Sequence, residues 1–524
     1  MPSKISITIV QMKPKLGNIE FNVAKILEYY NKAHTQIVLF PELSLTGYSP
    51  RDQLLSSKFI ENCHTKVNEI LCQTSEKICI VGTPFFENGK LYNAVLAMQH
   101  GKIIAKSFKT HLPNYEVFEE MRYFSSGSPA FFTHNGVKFG LPICEDIWHE
   151  DVCQSLKMQG VNIFLVVNAS PFHIGKREYR LAVAQKRFNE TQIPIIYCNQ
   201  VVCQDGILFD GSSFCYDGGE VYTLDAFEEC DAVVHFYDGK FTQVNCNSQK
   251  IYCDNEILHK ALIFGLREYV HNAGFSKVII GISGGADSAL VAYLAVQAFG
   301  SKNVIGVFMP SQFTSIASIQ DAQSLAQNLK FGLRIVSIER PLAAFHDILN
   351  ISGLSEENIQ ARIRGNILMS ISNSENAMVL TTGNKSEIAT GYCTIYGDMC
   401  GGYNPIKDLY KTQVFAMMKF VNELNFDKLN AIIPTNIITK EPSAELRFDQ
   451  KDSDSLPPYP ILDDILHQII EQCKQVDEIT QHSKEIVTKV CNLVKFSEYK
   501  RQQSALGTKL STLSLNLIEW KRNT

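Results

Sequence analysis

The chain has 524 residues, 45% of them hydrophobic and 20% charged, an ordinary globular composition that excludes disordered and fibrous classes and predicts about two to four domains. Lys plus Arg number 49 against 54 Asp plus Glu, a net charge of -5, so no nucleic-acid-binding face is expected. Fifteen cysteines without a C-x-x-C pair, and no run approaching about 18 apolar residues, predict a soluble cytoplasmic protein with reduced thiols, no cysteine zinc site and no membrane partner.

In chain order, apolar runs at 5–10, 36–40, 78–82, 137–143, 162–167 and 194–198 read as strands. Helix-length amphipathic stretches lie at 22–33, 149–158 and 175–190. After Gln200 come turn-rich, strand-like pieces, so the first half predicts an α/β sheet with an antiparallel tail. Turn and polar residues concentrate over 238–254, which places a domain boundary there and divides the chain into 1–245 and 246–524. A helix at 255–272 then opens a second series: strand 277–282, helix 286–298, strand 303–309, helix 315–329, strand 333–338, helix 356–372 and strand 378–382. That alternation predicts a parallel, doubly wound sheet. The segment 439–460 is charged, holds four prolines and lacks apolar periodicity, so it reads as a functional loop or a linker.

Two constellations carry chemistry. Cys144 ends an apolar run and precedes a helix, where a tight turn with nearby N–H groups lowers a thiol pKa and makes a nucleophile. Glu42 and Lys109 stand at two other strand ends, and adjacent strands would bring all three to one sheet edge. Glu42 would then take the thiol proton, Cys144 attack a carbonyl and Lys109 stabilise the oxyanion. Read singly, each is a buried thiol or a surface charge.

The second constellation is Gly281-Ile282-Ser283-Gly284-Gly285-Ala286-Asp287-Ser288, between a strand and a helix. Its glycines and the helix N-terminus suit an anion, and Asp287 suits the Mg²⁺ that accompanies a nucleotide. The Walker lysine is missing, which fits a loop holding pyrophosphate as a leaving group rather than one transferring a terminal phosphoryl group. The same residues satisfy G-x-S-x-G, the serine-hydrolase elbow, for which His346, His467 and His482 are the available histidines.

Phe40-Pro41-Glu42, Lys109-Thr110-His111-Leu112-Pro113-Asn114-Tyr115 and Ile143-Cys144-Glu145-Asp146 resemble the three motifs of the nitrilase (carbon–nitrogen hydrolase) superfamily. The resemblance implies an αββα sandwich acting on an amide or nitrile. Together with Asn168-Ala169-Ser170-Pro171-Phe172 it points to the glutaminase branch, with Tyr115, Ser170 and Lys176 holding glutamine. Glu116 departs from that branch, which usually has Gly there.

Ser-Gly-Gly-x-Asp-Ser is similar to the ATP-pyrophosphatase signature, whose members adenylate a substrate. Glu357-Asn358-Ile359-Gln360-Ala361-Arg362, Thr382-Gly383-Asn384-Lys385-Ser386-Glu387, Tyr396-Gly397-Asp398, Asp408-Leu409-Tyr410-Lys411 and Glu441-Pro442-Ser443 resemble the NAD synthetases, and nearly the whole chain resembles the glutamine-dependent members of that family. This implies a C-terminal sheet of the adenine nucleotide α-hydrolase kind. Gly281, Ser283, Gly284, Gly285, Asp287, Ser288, Thr382, Lys411 and Ser443 would contact ATP. Asp287 and Glu387 would share Mg²⁺, and Asn358, Glu387 and Lys500 would meet deamido-NAD⁺. Arg362 and Arg364 read equally as solvated helix faces and are not assigned.

The family's reaction is ATP-dependent amidation of deamido-NAD⁺ with ammonia from glutamine, and the resemblance also implies a homo-oligomer with the helix around 359–372 at a dimer interface. The alternative is another glutamine amidotransferase with the same ATP loop. An N-terminal-cysteine class is disfavoured because Pro2 follows Met1, and a triad class because no Cys is followed by His-x-Glu.

Overall fold

A computed structural model of the chain describes residues 4–244, 252–424 and 431–516. They form two compact units, one of residues up to 204 with 208–252, the other of 205–207 with the residues from 253 on. The expected boundary between 245 and 246 lies outside the described residues.

The first unit runs β1 (Ile5–Gln11), α1 (Ile19–Lys32), β2 (Ile37–Leu39), α2 (Ser57–Gln73), β3 (Ile78–Glu87), β4 (Lys90–Gln99), β5 (Lys102–Phe108), β6 (Phe131–His134) and β7 (Val137–Gly140). It continues with α3 (Glu150–Met158), β8 (Ile163–Asn168), α4 (Lys176–Thr191), β9 (Ile195–Asn199), β10 (Val201–Gln204), β11 (Ile207–Asp210), β12 (Phe214–Tyr216), β13 (Val221–Thr223), β14 (Cys230–Tyr237) and β15 (Lys240–Val244). A seven-stranded sheet has the order β15-β14-β1-β2-β3-β4-β5, and a six-stranded sheet the order β13-β12-β9-β8-β7-β6.

The sheets face each other through one apolar layer. Ile5, Ile7, Ile9, Ile37, Leu39, Ile78 and Ile80 from the first meet Phe139, Ile163, Leu165, Val167 and Ile196 from the second. The period-two alternation of β1 turns Val10 to the opposite face, where α1 and α2 contribute Val23, Ile26, Val67 and Ile70. The outer face of the six-stranded sheet packs Phe164, Val166 and Tyr197 against Cys153, Leu156 and Ala184 of α3 and α4. The result is the four-layer αββα sandwich.

The second unit is built around the parallel sheet β18-β17-β16-β19. Its elements are α5 (Asp254–Asn272), β16 (Val278–Ile282), α6 (Ala286–Phe299), β17 (Val304–Phe308), α7 (Ile316–Leu329), β18 (Gly332–Ile335), α8 (Glu339–Ile348), α9 (Leu354–Glu375) and β19 (Met378–Leu380). Helices α10 (Lys385–Thr390), α11 (Lys411–Glu423), α12 (Thr435–Thr439), α13 (Tyr459–Ile470), α14 (Lys484–Phe496) and α15 (Glu498–Arg501) follow. The strand order reverses on either side of β16, so the glycine-rich loop leaving β16 sits at the topological switch point, where open α/β sheets bind ligands. Among the described residues no helix is long and apolar enough to cross a membrane.

Several elements were absent from the sequence reading, among them α2, β4, β6, α8, α13 and α14. The strand expected at 333–338 forms over Gly332–Ile335.

Candidate active sites

The expectation that Glu42, Lys109 and Cys144 share one sheet edge is corrected by the topology. Glu42 follows β2 and Lys109 follows β5, and β3 and β4 separate those strands in the seven-stranded sheet. Cys144 follows β7, in the other sheet. The three residues meet because the sheets stack, so that strand ends of both open on one space. Gly82 in β3 makes room for the glutamate segment: a Cβ there would fall 2.3 Å from the Leu43 nitrogen and 2.7 Å from the Pro41 oxygen.

Glu42 is fully buried and accepts three hydrogen bonds. Its Oε1 accepts from Lys109 Nζ at 2.8 Å and Asn93 Nδ2 at 2.7 Å, and its Oε2 from the Ala169 backbone N–H at 2.8 Å. Lys109 Nζ also donates to Glu120 Oε1 at 2.6 Å, and Tyr48 donates its hydroxyl to the same oxygen at 2.8 Å. Burial works against the ammonium, but Glu120 and Glu42 outweigh it and hold Lys109 charged, its pKa well above the usual lysine value. Burial pushes the Glu120 carboxyl up to about 7, against the pull of Lys109.

Cys144 is buried, has φ of 46° and opens a short 3-10 turn, Cys144–Trp148. Asp146 ties this turn to the lysine segment: its Oδ2 accepts from Ile143 N, and its Oδ1 from Thr110 N and His111 N. The thiol is not held as a standing thiolate, contrary to the turn argument. Burial, then the Glu42 charge, push its pKa well above the ordinary cysteine value, and Lys109 offsets only part of this. The thiol therefore depends on a base at the moment of reaction.

Tyr115 and Lys176 lie within electrostatic reach of Cys144, and Ser170 follows Ala169, whose N–H binds Glu42. Tyr115 is half exposed and donates its hydroxyl to Glu145 Oε2 at 2.9 Å. Ser170 N donates to Asn199 Oδ1 at 2.9 Å. Lys176 opens α4 with its ammonium 4.6 Å from the Trp148 ring centroid and, among the described residues, no carboxylate in salt-bridge contact. Burial and the Arg180 charge lower its pKa, while Glu116, Cys144 and Glu145 pull it back. Glu116 has φ of 51°, a left-handed conformation that glycine adopts without strain.

In the second unit a cavity of about 310 Å³ is lined by Gly281, Ser283, Gly285, Asp287, Ser288, Thr382, Glu387, Lys411 and Ser443. Gly284 lies behind it, with φ of 77°, where a Cβ would fall 2.4 Å from the Ser318 oxygen. Asn358 and Lys500 do not line it. Asn358 accepts from the Thr394 hydroxyl at 2.8 Å, and Lys500 donates to the Gly391 and Cys393 carbonyls, each at 2.7 Å.

Lys411 joins the two acids: its ammonium is 2.5 Å from Asp287 Oδ2 and 3.2 Å from Glu387 Oε1. Asn384 Nδ2 donates to Asp287 Oδ1 at 2.9 Å and, in a capping box with Glu387, starts α10. Burial and the neighbouring Asp287 charge push the Glu387 carboxyl up to about 8 in spite of Lys411. The converging Asp287 and Glu387 carboxyl groups offer hard oxygen donors of the kind that fit Mg²⁺. The serine-hydrolase alternative fails on geometry: Ser283 Oγ pairs with Ser288 Oγ, while His346, His467 and His482 pair with Glu356, Glu471 and Asp464.

The carbon–nitrogen hydrolase family pattern matches residues 6–219 and the NAD synthase pattern residues 258–504. A glutamine-dependent NAD(+) synthetase of Rhodobacter capsulatus is 41% identical over 98% of this chain and 97% of its own, and one of Synechocystis 39% identical over 97% and 96%. The chain belongs to the glutamine-dependent NAD⁺ synthetases. A solved glutamine-dependent NAD⁺ synthetase of Acinetobacter baumannii, in complex with ADP, superposes with a TM-score of 0.81 at 34% identity, covering 99% of this chain and 98% of that one.

Within this synthetase several site residues escaped the sequence reading. Glu120, Asn93 and Tyr48 reach the Glu42–Lys109 pair from separate segments without a common spacing. Arg364, set aside as a solvated face, lines the cavity, donates to the Met309 carbonyl and is lowered by burial to about 10. Lys440, Glu445 and Asp452, from the segment read as a loop or linker, also line the cavity. Only their place in a motif-bearing stretch with Ser443 could have signalled them.

Proposed function

We propose that the first unit hydrolyses glutamine at Cys144 and the second uses the ammonia to amidate deamido-NAD⁺ at the expense of ATP. The observation that carries the first half is the buried Lys109 ammonium against Glu42 beside a protonated Cys144. Glu42 takes the thiol proton as sulfur attacks the carboxamide carbon, and Lys109 faces the oxyanion. The proton returns to the departing nitrogen, ammonia leaves, and water cleaves the thioester to glutamate. Tyr115, Ser170 and Lys176 hold glutamine, the lysine having no carboxylate in salt-bridge contact among the described residues and suiting the substrate's α-carboxylate.

In the second unit the nicotinate carboxylate attacks the α-phosphorus of ATP and pyrophosphate leaves. Ammonia then attacks the adenylated carbonyl and AMP departs, giving NAD⁺. Activation is needed because a free carboxylate is a poor acceptor. Ser283, Gly285 and Ser288 of the loop, with Thr382 and Ser443, hold the nucleotide. Asp287 and Glu387 would bind Mg²⁺, which when present neutralises phosphate charge. Lys411 keeps the two acids together. Deamido-NAD⁺ is met by Glu387, with Asn358 and Lys500 supporting the surrounding turns. The synthetase works as a homo-oligomer with α9 at a dimer contact and domains divided near 245.

Product identification with deamido-NAD⁺, ATP and glutamine, omitting each in turn, tests the whole reading. NAD⁺, AMP, pyrophosphate and glutamate should appear in equal amounts from the complete mixture. Formation of ADP instead of AMP would overturn the adenylation chemistry.

A further inference from the structure

The proposed mechanism leaves unused the largest fully buried side chain of the described residues, Arg180, 1% exposed. It lies one helical turn after Lys176 on α4, so the two side chains share a face. Every nitrogen of its guanidinium is engaged. Nε donates to Ser170 Oγ at 3.0 Å, and Nη2 to the Ser170 and Pro171 carbonyls at 2.7 and 2.9 Å. Nη1 donates to Asp210 Oδ1 at 2.7 Å, an ion pair buried at both ends. Three of these four bonds end on one loop, and that loop does two things at the cysteine site. It offers the Ala169 N–H to Glu42 Oε2, and it carries Ser170, the residue proposed to contact glutamine. Asn199 grips the same loop from β9, through Ser170 N at 2.9 Å and Ser170 O at 3.3 Å.

We infer that Arg180 is a positioning residue for glutamine hydrolysis: by clamping Ser170 and Pro171 it sets the base and the substrate contact together. The inference rests on the glutaminase reading of Cys144. A planar fork suits this work because its donors diverge in one plane and reach side-chain and carbonyl oxygens at once, whereas a lysine ammonium is a single point charge. The fork also explains the buried ion pair. Asp210 neutralises the guanidinium and leaves its other donors free for the loop. Neither partner can be removed alone without stranding a buried charge.

The test uses two full-length variants. Arg180→Lys keeps the charge opposite Asp210 and loses the fork. Arg180→Met combined with Asp210→Asn removes the ion pair whole, so that no orphan charge confounds the result. For each, kcat and KM are measured with glutamine and, on the same preparation, with ammonium chloride. Iodoacetamide labelling of Cys144, followed by mass spectrometry of its peptide, gives a rate constant and a reactive fraction.

Both variants should raise the glutamine KM about tenfold or more and slow Cys144 labelling while most of the protein remains reactive, with ammonium-driven synthesis within about twofold of wild type. A merely structural role would lower the reactive fraction and leave the rate constant and KM unchanged, and that result would overturn the inference. So would an equal loss with both nitrogen sources. If Cys144→Ala still used glutamine, the glutaminase reading itself would fall, whatever Arg180 does.

Discussion

At the residue scale the cysteine site is an electrostatic arrangement with one group near its tipping point. Glu120 holds its proton up to about 7, against an ordinary value of 4.5, because burial disfavours its charge. The folded state therefore binds more protons than the unfolded state between those values, and stability falls as pH rises from about 4.5 to about 7, then levels. Glu120→Gln, which cannot titrate, should flatten that slope in urea unfolding followed by fluorescence. It should also lower glutamine-driven turnover about a hundredfold, since Lys109 loses a carboxylate that orients it. Glu116 is a different case, a negative side chain in a left-handed backbone conformation beside Tyr115. Glu116→Gly should raise the unfolding free energy by about 0.5 kcal/mol, the strain relieved exceeding the entropy glycine adds to the unfolded chain. A drop in stability would mean that the loop accommodates the glutamate without strain. Glu42, Lys109 and Cys144 were legible because each sits in a short motif with its own neighbours. Glu120, Asn93 and Tyr48 were not, because their contacts join residues 11 to 72 positions apart and leave no local pattern.

At the scale of elements, alternation of apolar runs located most strands, whereas β4 was hidden because six consecutive residues from Asn93 to Met98 are buried and show no period of two. Helix α2 begins with a serine cap and buries only Ile60, Cys63, Val67 and Ile70, a stripe too thin to stand out between polar residues. The segment 439–460 repays a closer look. Its apolar content is low, yet two charged residues hold it to the glycine-rich loop and to the start of α7. Lys440 Nζ donates to the Gly284 carbonyl at 3.1 Å and to Ser318 Oγ at 2.9 Å, and Glu445 Oε1 accepts from Ser315 Oγ at 2.8 Å and Ser318 Oγ at 2.7 Å. Such polar latches are individually weak in water. We therefore expect the segment to open without ligand and to close over bound nucleotide, excluding water that would hydrolyse the adenylate. Tryptic cleavage at Arg447 and Lys451, both exposed, should slow when ATP and deamido-NAD⁺ are added. Glu445→Ala should speed cleavage in the absence of ligand. Equal cutting under all conditions would argue against a lid.

For the whole molecule, each unit carries its own chemistry with its own core, and the two activities should separate by single substitutions. Cys144→Ala removes the proposed sulfur nucleophile of the first unit and touches nothing that lines the cavity of the second. Glutamine-driven NAD⁺ formation should fall by at least about a thousandfold, since the thioester cannot form. Synthesis from ammonium chloride should persist, and should rise with pH as more of the added nitrogen becomes NH₃, the form that carries a lone pair. Asp287→Ala acts in the opposite place. It removes one of the two carboxylates that hold Lys411 and would bind Mg²⁺, so synthesis should be lost with either nitrogen source. Its Cys144 site is unchanged, and glutamate should still be released from glutamine. The pair of variants thus gives complementary losses, read by NAD⁺ and glutamate assays on the same preparations. Should Asp287→Ala retain ammonium-driven synthesis, the nucleotide site would lie elsewhere in the second unit. Should Cys144→Ala lose ammonium-driven synthesis as well, the two units would not be chemically independent.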